Sequence, residues 1–479
     1  MFSQARFTRQ ITAFLISILS ASAVLAMAAN IAAQTTETPS QLTSRIERLI
    51  RQLDDDSEKV SEEARSSLVE IGLPALKPLN EAAKDVTTEG GRLAAGIVRD
   101  IARTAAGLRM RSQTKTTGLQ GAVTVELSRD GRYVYVPGHV AAAINVFRRD
   151  SRTGELAIQQ CIVDRDQMDG VVTLRLSTDG KFAVAAACRS KTIALYSRDE
   201  TNGELTLASM RRQEPDGELQ NLEWPINAIF STDGKFVYVI DDHKGTVLVF
   251  RCTGGLTFVE IFEGPDHCFD GARGLTAHPD GKTLYISSHR AGTLVVLNRD
   301  PETGKVSIRQ ILHDEEDGVH GLAGTIYTCV SRDGEFVYSI SGRFAGDDAI
   351  GVFQVGDDGK LSVLQEFING DGELQDFKGG GVGIAISPDG TRFYASGTRS
   401  GSLACFRRDP VGGKLTYVTT LTSLETGESG TFVDNRRAVG NQLMVGNLGA
   451  NGVDISSDGR FLYLALEGWS AISVLEQTA

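Results

Sequence analysis

The chain has 479 residues, 41% of them apolar, and a formal net charge of −12. That allows one large core and a small second one, and the acidic balance excludes nucleic acid or an anionic membrane surface as the expected partner. The 6 cysteines and 7 histidines include neither Cys-x-x-Cys nor His-x-x-x-His, so no zinc site of familiar type and no cofactor is expected.

Arg6 and Arg9 precede an apolar run from Ile11 to Ala26, and Ala26-Met-Ala28 offers a small-residue cleavage site. Residues 1–34 therefore read as a secretory signal peptide, with an uncleaved membrane anchor as the alternative. The expected location is extracytoplasmic, in the periplasm or secreted. Residues 40–106 read as helical. Leu42, Ile46, Leu49, Ile50 and Leu53 fall at helical spacing, and a second helix runs from Val60 to Ile71. Leu73 to Leu79 opens a third, and Gly91 to Thr104 gives a fourth. The Gly72-Leu-Pro-Ala-Leu76 junction, after Ala64-Arg-Ser-Ser-Leu-Val69, resembles a HEAT-type helical repeat over about one and a half repeats. That resemblance implies either a protein-binding face or a brace for the rest of the chain.

From residue 107 onward one unit recurs. Asp-Gly pairs stand at Asp130-Gly131, Asp179-Gly180, Asp233-Gly234, Asp280-Gly281, Asp333-Gly334, Asp389-Gly390 and Asp458-Gly459, spaced by 49, 54, 47, 53, 56 and 69 residues. In the first unit Val123–Leu127, Tyr133–Val136, Ala143–Phe147 and Leu156–Gln160 read as strands. Ser128-Arg-Asp-Gly131 and Arg148–Gly154 are the turns between them. Seven units of four short antiparallel strands predict an all-β, seven-bladed β-propeller over residues 107–479, preceded by the small α-helical segment. The seventh unit stops after its third strand. Residues 107–116 are expected to supply the fourth by pairing with Ser473–Leu475, which leaves no open edge. Cys161, Cys188, Cys329 and Cys405 fall in or beside strands of different blades. Cys252 and Cys268 read as opposite ends of one fourth strand, so buried free thiols are expected rather than disulfides.

Residues 108–477 resemble the lactonase-family seven-bladed propellers, the group of 6-phosphogluconolactonase and carboxymuconate-cyclising enzymes. The carriers are Ser387-Pro-Asp-Gly390, Arg299–Gly304, Gly271-Ala-Arg-Gly-Leu-Thr-Ala-His-Pro-Asp-Gly281 and the Asp317–Gly324 linker. The resemblance implies a Pro-His-Pro-His run before one inner strand and Pro-Arg-His before another. Here Trp224 and Ile226 stand where those histidines would fall, and Ala272-Arg273-Gly274 keeps the arginine alone. Arg273 is the residue that would polarise a lactone.

Counted from each Asp-Gly glycine, the ninth residue is Arg189, His243, Arg290, Arg343 and Arg399 in blades two to six, and the eighth is His139 in blade one and His289 in blade four. These positions lie on the loop face opposite the Asp-Gly turns. Arg189, Arg290, Arg343, Arg399 and His139 are candidate ligands for a small anion such as a carboxylate or phosphate. His243, His289 and Arg273 are the candidate catalytic residues. The competing reading is salt bridging of these loops to acidic blade junctions such as Asp164, Asp169, Asp270 and Asp314–Asp317. Asp241-Asp-His243 and Asp347-Asp348 lack the spacing of a known cation loop, so no metal is expected. Two functions stay open. One is a monomeric extracytoplasmic module that binds a small anionic ligand, or an envelope protein or glycan. The other is a secreted lactonase acting on an anionic sugar lactone.

Overall fold

Each Asp-Gly turn is held by its own side chains. In blade one Ser128 Oγ donates to Asp130 Oδ1 at 2.6 Å, and the same oxygen accepts the Arg132 N–H at 3.0 Å. Gly131 sits at φ 67°, a conformation that costs a Cβ-bearing residue strain. The Ser-to-Asp bond recurs at Ser177, Ser231, Ser331, Ser387 and Ser456. Blade four has His278 in that place. Its Nδ1 accepts the Asp280 N–H, and its Nε2 lies 2.8 Å from Gly334 O in blade five.

The structure is a computed structural model that describes residues 38–85, 87–342, 344, 346–421 and 449–478. The chain divides into two units, up to Ile101 and from Ala102. The signal segment expected at 1–34 and the ligand candidate Arg343 lie outside the described residues. In the first unit, helices α1 (Pro39–Arg51), α2 (Glu58–Ile71), α3 (Leu76–Ala82) and α4 (Glu89–Ala106) supply an apolar core of Ile46, Leu49, Leu53, Leu68, Leu79, Ile97 and Ile101. Thr38 opens α1 with a capping box shared with Gln41. Among the described residues no helix is long and apolar enough to cross a membrane.

In the second unit the described strands form seven four-stranded antiparallel sheets, the blades of a seven-bladed β-propeller. The last blade is built from both ends of the unit. Ala450–Ile455, Phe461–Leu466 and Ala471–Gln477 are joined by Leu108–Lys115, which pairs Gln113 with Ser473 and Met110 with Leu475. One strand is shorter than its pattern predicts. In blade one the continuous ladder is cut to Glu126–Leu127, with an isolated bridge from Ala122 to Gly138, because its register sets Thr124 opposite Pro137, which has no N–H to donate. The cysteine placement also needs correction. Cys252 ends a third strand, Thr246–Cys252, and Cys268 follows the fourth, Leu256–Glu263, in a short turn. All six thiols are free, and Cys161 is exposed rather than buried.

Neighbouring blades are tied by buried arginines that end third strands. Arg299, the last residue of Thr293–Arg299 in blade four, donates from Nε to the Tyr238 hydroxyl of blade three at 2.8 Å. Its Nη1 donates to Gly281 O in its own blade, and its Nη2 meets the Asp233 carboxylate at 3.0 Å. Tyr238 in turn donates to Gly304 O at 2.8 Å. The same latch joins Arg149 to Tyr463, Arg198 to Tyr135 and Arg408 to Tyr338. At other junctions the pair is replaced. Val184 and Cys252 lie in one apolar cluster, Tyr285 and Val355 in another, and Tyr394 accepts from Gln477.

Tyr238→Phe should therefore lower the unfolding free energy by about 2 kcal/mol, because it strands a buried guanidinium and a turn carbonyl. Tyr285→Phe should change it little, because the Tyr285 hydroxyl has no hydrogen-bond partner among the described residues. Urea unfolding of the two variants beside the parent checks the difference.

Candidate functional site

On the face opposite the Asp-Gly turns, blades three, four and five converge on one buried carboxylate. Asp242 follows the blade-three strand Phe236–Asp241, and its side chain is 2% exposed. Arg273 Nη2 lies 2.7 Å from its Oδ2, and Arg290 Nη1 lies 2.9 Å from its Oδ1. Arg290 Nη2 also donates to the Asp242 carbonyl. His289 Nε2 faces Oδ1 at 3.7 Å, which is electrostatic contact rather than a hydrogen bond. Phe344, from the blade-five loop, lies over the Arg273 guanidinium at 4.5 Å and beside the His289 ring at 4.9 Å.

Local structure explains why these side chains meet. The inner strand of blade four, Ala272–Ala277, has its pairing broken between Ala272 and Gly274, and Arg273 is the residue at that bulge. Bulges re-aim side chains. The residues at the same break in blades two, three and five are Val172, Ile226 and Ile326. Gly271 precedes it at φ 71°, where a Cβ would stand 2.7 Å from the His289 ring. The glycine lets His289 close over the strand.

Burial pushes the Asp242 carboxyl up, but the facing His289 and the charges of Arg273 and Arg290 outweigh it and hold it at about 2. Burial lowers the His289 imidazole below its usual range, with Arg273 and Arg290 acting in the same direction against Asp242. The centre is thus a carboxylate, two guanidiniums and a neutral imidazole near neutral pH. That combination can polarise a carbonyl and move a proton.

The basic loop positions do not stand free. Arg189 Nη2 lies 2.9 Å from His139 Nε2 of blade one, and its Nη1 lies 3.4 Å from Asp169. Arg399 pairs with Asp348 of blade five at 2.6 Å. Each described arginine of the ring pairs with a carboxylate, but only Asp169 is one of the junction acids expected; Arg290 and Arg399 use Asp242 and Asp348 instead. His243 is exposed and stacks on Trp224 at 4.7 Å. The carboxylates weighed as cation ligands have other roles. Asp241 accepts the N–H groups of Glu223, Trp224, His243 and Lys244, and Asp348 also accepts that of Gly379. Asp314, Glu315 and Asp347 do bring carboxylate oxygens within 4.8 Å of one another. Gly380–Ile386 is itself a strand, and Gly383 allows blade six to approach blade seven, where a Cβ would stand 2.3 Å from Val453 N.

A second ionic group, unforeseen from the sequence, lies deeper in the channel on inner strands. Glu126 of blade one pairs with Arg175 of blade two at 3.1 Å, and Arg175 reaches across to the Tyr327 hydroxyl of blade five at 3.0 Å. Asp454 of blade seven accepts the Leu127 N–H of blade one at 2.9 Å. A signal was present. Glu126, Arg175 and Asp454 all stand five residues before an Asp-Gly glycine, in strands that are otherwise largely apolar.

Comparison with known proteins places the fold. The model of the family described as "Lactonase, 7-bladed beta-propeller" matches residues 105–219 and 211–433. A 6-phosphogluconolactonase of Bacillus subtilis (strain 168) is 24% identical over 199 residues, 41% of this chain and 53% of that protein. An uncharacterised protein of Lactococcus lactis subsp. cremoris (strain MG1363) is 29% identical over 143 residues, 29% of this chain and 35% of that one. The chain thus spans about half or less of the length of these curated relatives. Among solved structures, a periplasmic gluconolactonase of Pseudomonas aeruginosa superposes with a TM-score of 0.53 at 18% identity, over 63% of this chain and 85% of that one. The Kuenenia stuttgartiensis hydrazine synthase does so at 0.52 and 17%, over 76% and 97%.

Acid should weaken the site. A depressed carboxyl contributes stability that is complete above the unfolded-state value and is lost as pH falls through the folded one. For Asp242 that window runs from about pH 4 down to about pH 2. Asp242→Asn should remove this loss and cost about 2 kcal/mol at neutral pH, since two guanidiniums lose their partner. Acid-unfolding curves of parent and variant test both statements.

Proposed function

The chain belongs to the seven-bladed lactonase family, and we propose that it binds an anionic sugar lactone at the Asp242 centre and opens it by hydrolysis. The observation that carries this reading is the neutral His289 held between a buried carboxylate and Arg273 at the channel mouth. Asp242 favours the tautomer with the His289 proton on Nε2, leaving the lone pair on the other ring nitrogen. That nitrogen takes a proton from water as the water oxygen bonds to the lactone carbonyl carbon. Arg273 stabilises the oxyanion, and Asp242 stabilises the imidazolium. The ring C–O bond then breaks, and the imidazolium returns its proton to the leaving alkoxide, giving the open hydroxy acid. Phe344 and the Trp224–His243 stack offer apolar faces to the sugar ring.

A second reading is supported by the ion pairing of Arg189, Arg290 and Arg399. Cations already matched by carboxylates are poor ligands for a small anion and suit a non-catalytic module that binds an envelope protein or glycan. The HEAT-like helices would then add a protein-binding face. Both readings place the chain outside the cytoplasm. The signal-like residues 1–34 support that location, and one structural neighbour is a periplasmic gluconolactonase.

Purified chain should hydrolyse members of a panel of aldonolactones, with and without a phosphate or carboxylate, faster than buffer. His289→Ala should lower kcat/KM by about 10²–10⁴-fold. His267→Ala, an exposed histidine, should leave it unchanged. The acid limb of the parent's kcat/KM should fall below the usual imidazole range. Absence of turnover across the panel, with ligand binding still measurable by calorimetry, would replace the enzyme reading with the binding one.

A further inference from the structure

Two acids and one arginine meet in the depth of the channel, and their charges do not balance. Arg175 Nη1 pairs with Glu126 Oε2 at 3.1 Å, and its Nη2 is taken by the Tyr327 hydroxyl. Glu126 Oε1 also accepts the Leu176 N–H at 3.1 Å, which fastens blade one to blade two. Asp454 performs the same fastening from blade seven to blade one, accepting Leu127 N–H on Oδ2 and Ile455 N–H on Oδ1. Among the described residues, however, no cation is in ion-pair contact with Asp454. Asp454 therefore stands as a second carboxylate on a centre whose one positive charge is already matched.

The groups that face Asp454 come from several strands. Blade one contributes Glu126, blade two Arg175, and blade five Tyr327 and Cys329. The inner strand of blade six, Gly380–Ile386, carries no ionisable side chain. Tyr463, opposite Asp454 in register, turns its hydroxyl to Gly154 and Arg149 instead. Burial and the Glu126 charge raise the Asp454 carboxyl to about 7. Burial likewise raises Glu126 despite Arg175, and lifts the Cys329 thiol to about 12.

We propose that Asp454 is a proton-dependent tie between the last and first blades: its neutral form closes the ring, and its ionisation places two like charges on one arginine and loosens the closure. The site is independent of the Asp242 centre and of any reading of its activity. The sign is set by the direction of the shift. A raised carboxyl contributes stability that is full below the unfolded-state value and is lost as pH rises through the folded one, hence approaching and passing about pH 7. This is opposite to Asp242.

The test is thermal unfolding of the full chain at about pH 5.5, 7 and 8.5, together with infrared spectroscopy of the protonated carboxyl band. The parent's midpoint should fall across that range, and a carboxyl band should disappear as it does. Asp454→Asn should lack both the band and most of the fall. Glu126→Gln removes the neighbouring charge, so it should move the titration to lower pH even if Asp454→Asn fails to fold. A parent midpoint that is flat from about pH 5.5 to 8.5 overturns the proposal. So does a fall that survives intact in Asp454→Asn, or a carboxyl titration that Glu126→Gln leaves in place.

Discussion

The buried arginine that ends a third strand holds the ring together. Arg299 is about 1% exposed, yet its donors are divided between its own Asp-Gly turn, the tyrosine of the preceding blade and that blade's turn aspartate. At Arg299 the buried guanidinium is tolerated because Nε, Nη1 and Nη2 all find partners, whereas Nη2 of Arg149, Arg198 and Arg408 has no hydrogen-bond partner among the described residues. The planar fork of the arginine then sets the spacing of two blades more narrowly than apolar packing would. Where Cys252 or Val355 takes its place, the latch is absent and other bonds tie the blades, such as Leu256 N–H to Ser209 Oγ between blades two and three and Gln310 Nε2 to Leu361 O between blades four and five. The latch lies at the Asp-Gly end, so the opposite face is left to vary, and the Asp242 centre is built there.

The two ionic centres of the channel differ in stoichiometry, and this accounts for their opposite behaviour. At the mouth, two arginines serve one carboxylate. Charge attraction exceeds the cost of burial, and the acid is held ionised. In the depth, the one arginine is matched by Glu126, and burial and the Glu126 charge prevail at Asp454. The same residue types on the same scaffold thus yield an ionised anchor in one place and a group that titrates near neutrality in the other. Strand position alone decides which neighbours each acid meets.

Much of the propeller is legible in the chain. The Asp-Gly ruler gives the blade count, because each turn is closed by side chains two and three residues away. The tyrosines four residues after the glycine and the arginines eighteen after it are also visible, but their meeting is not, since they belong to different blades. The loop-face ring shows the limit more sharply. Arg189, Arg290 and Arg399 share a register with His243, yet only the fold shows that the arginines lean on the preceding blade while His243 stacks on Trp224. Asp242 stood in plain view beside Asp241. Its neighbour is consumed by four backbone donors, and nothing local distinguishes the two.

The sequence by itself determined the seven blades, the helical unit before them and the face on which polar loops gather. These arise from turns, strand alternation and helical spacing, which act over a few residues. The tertiary structure alone decided which charges pair. Arg273 meets Asp242 because a bulge on one blade turns toward a loop of another, and Arg175 meets Tyr327 across the channel from three blades away. An electrostatic centre depends on distances of about 3 Å and on burial, and both arise only when the ring closes.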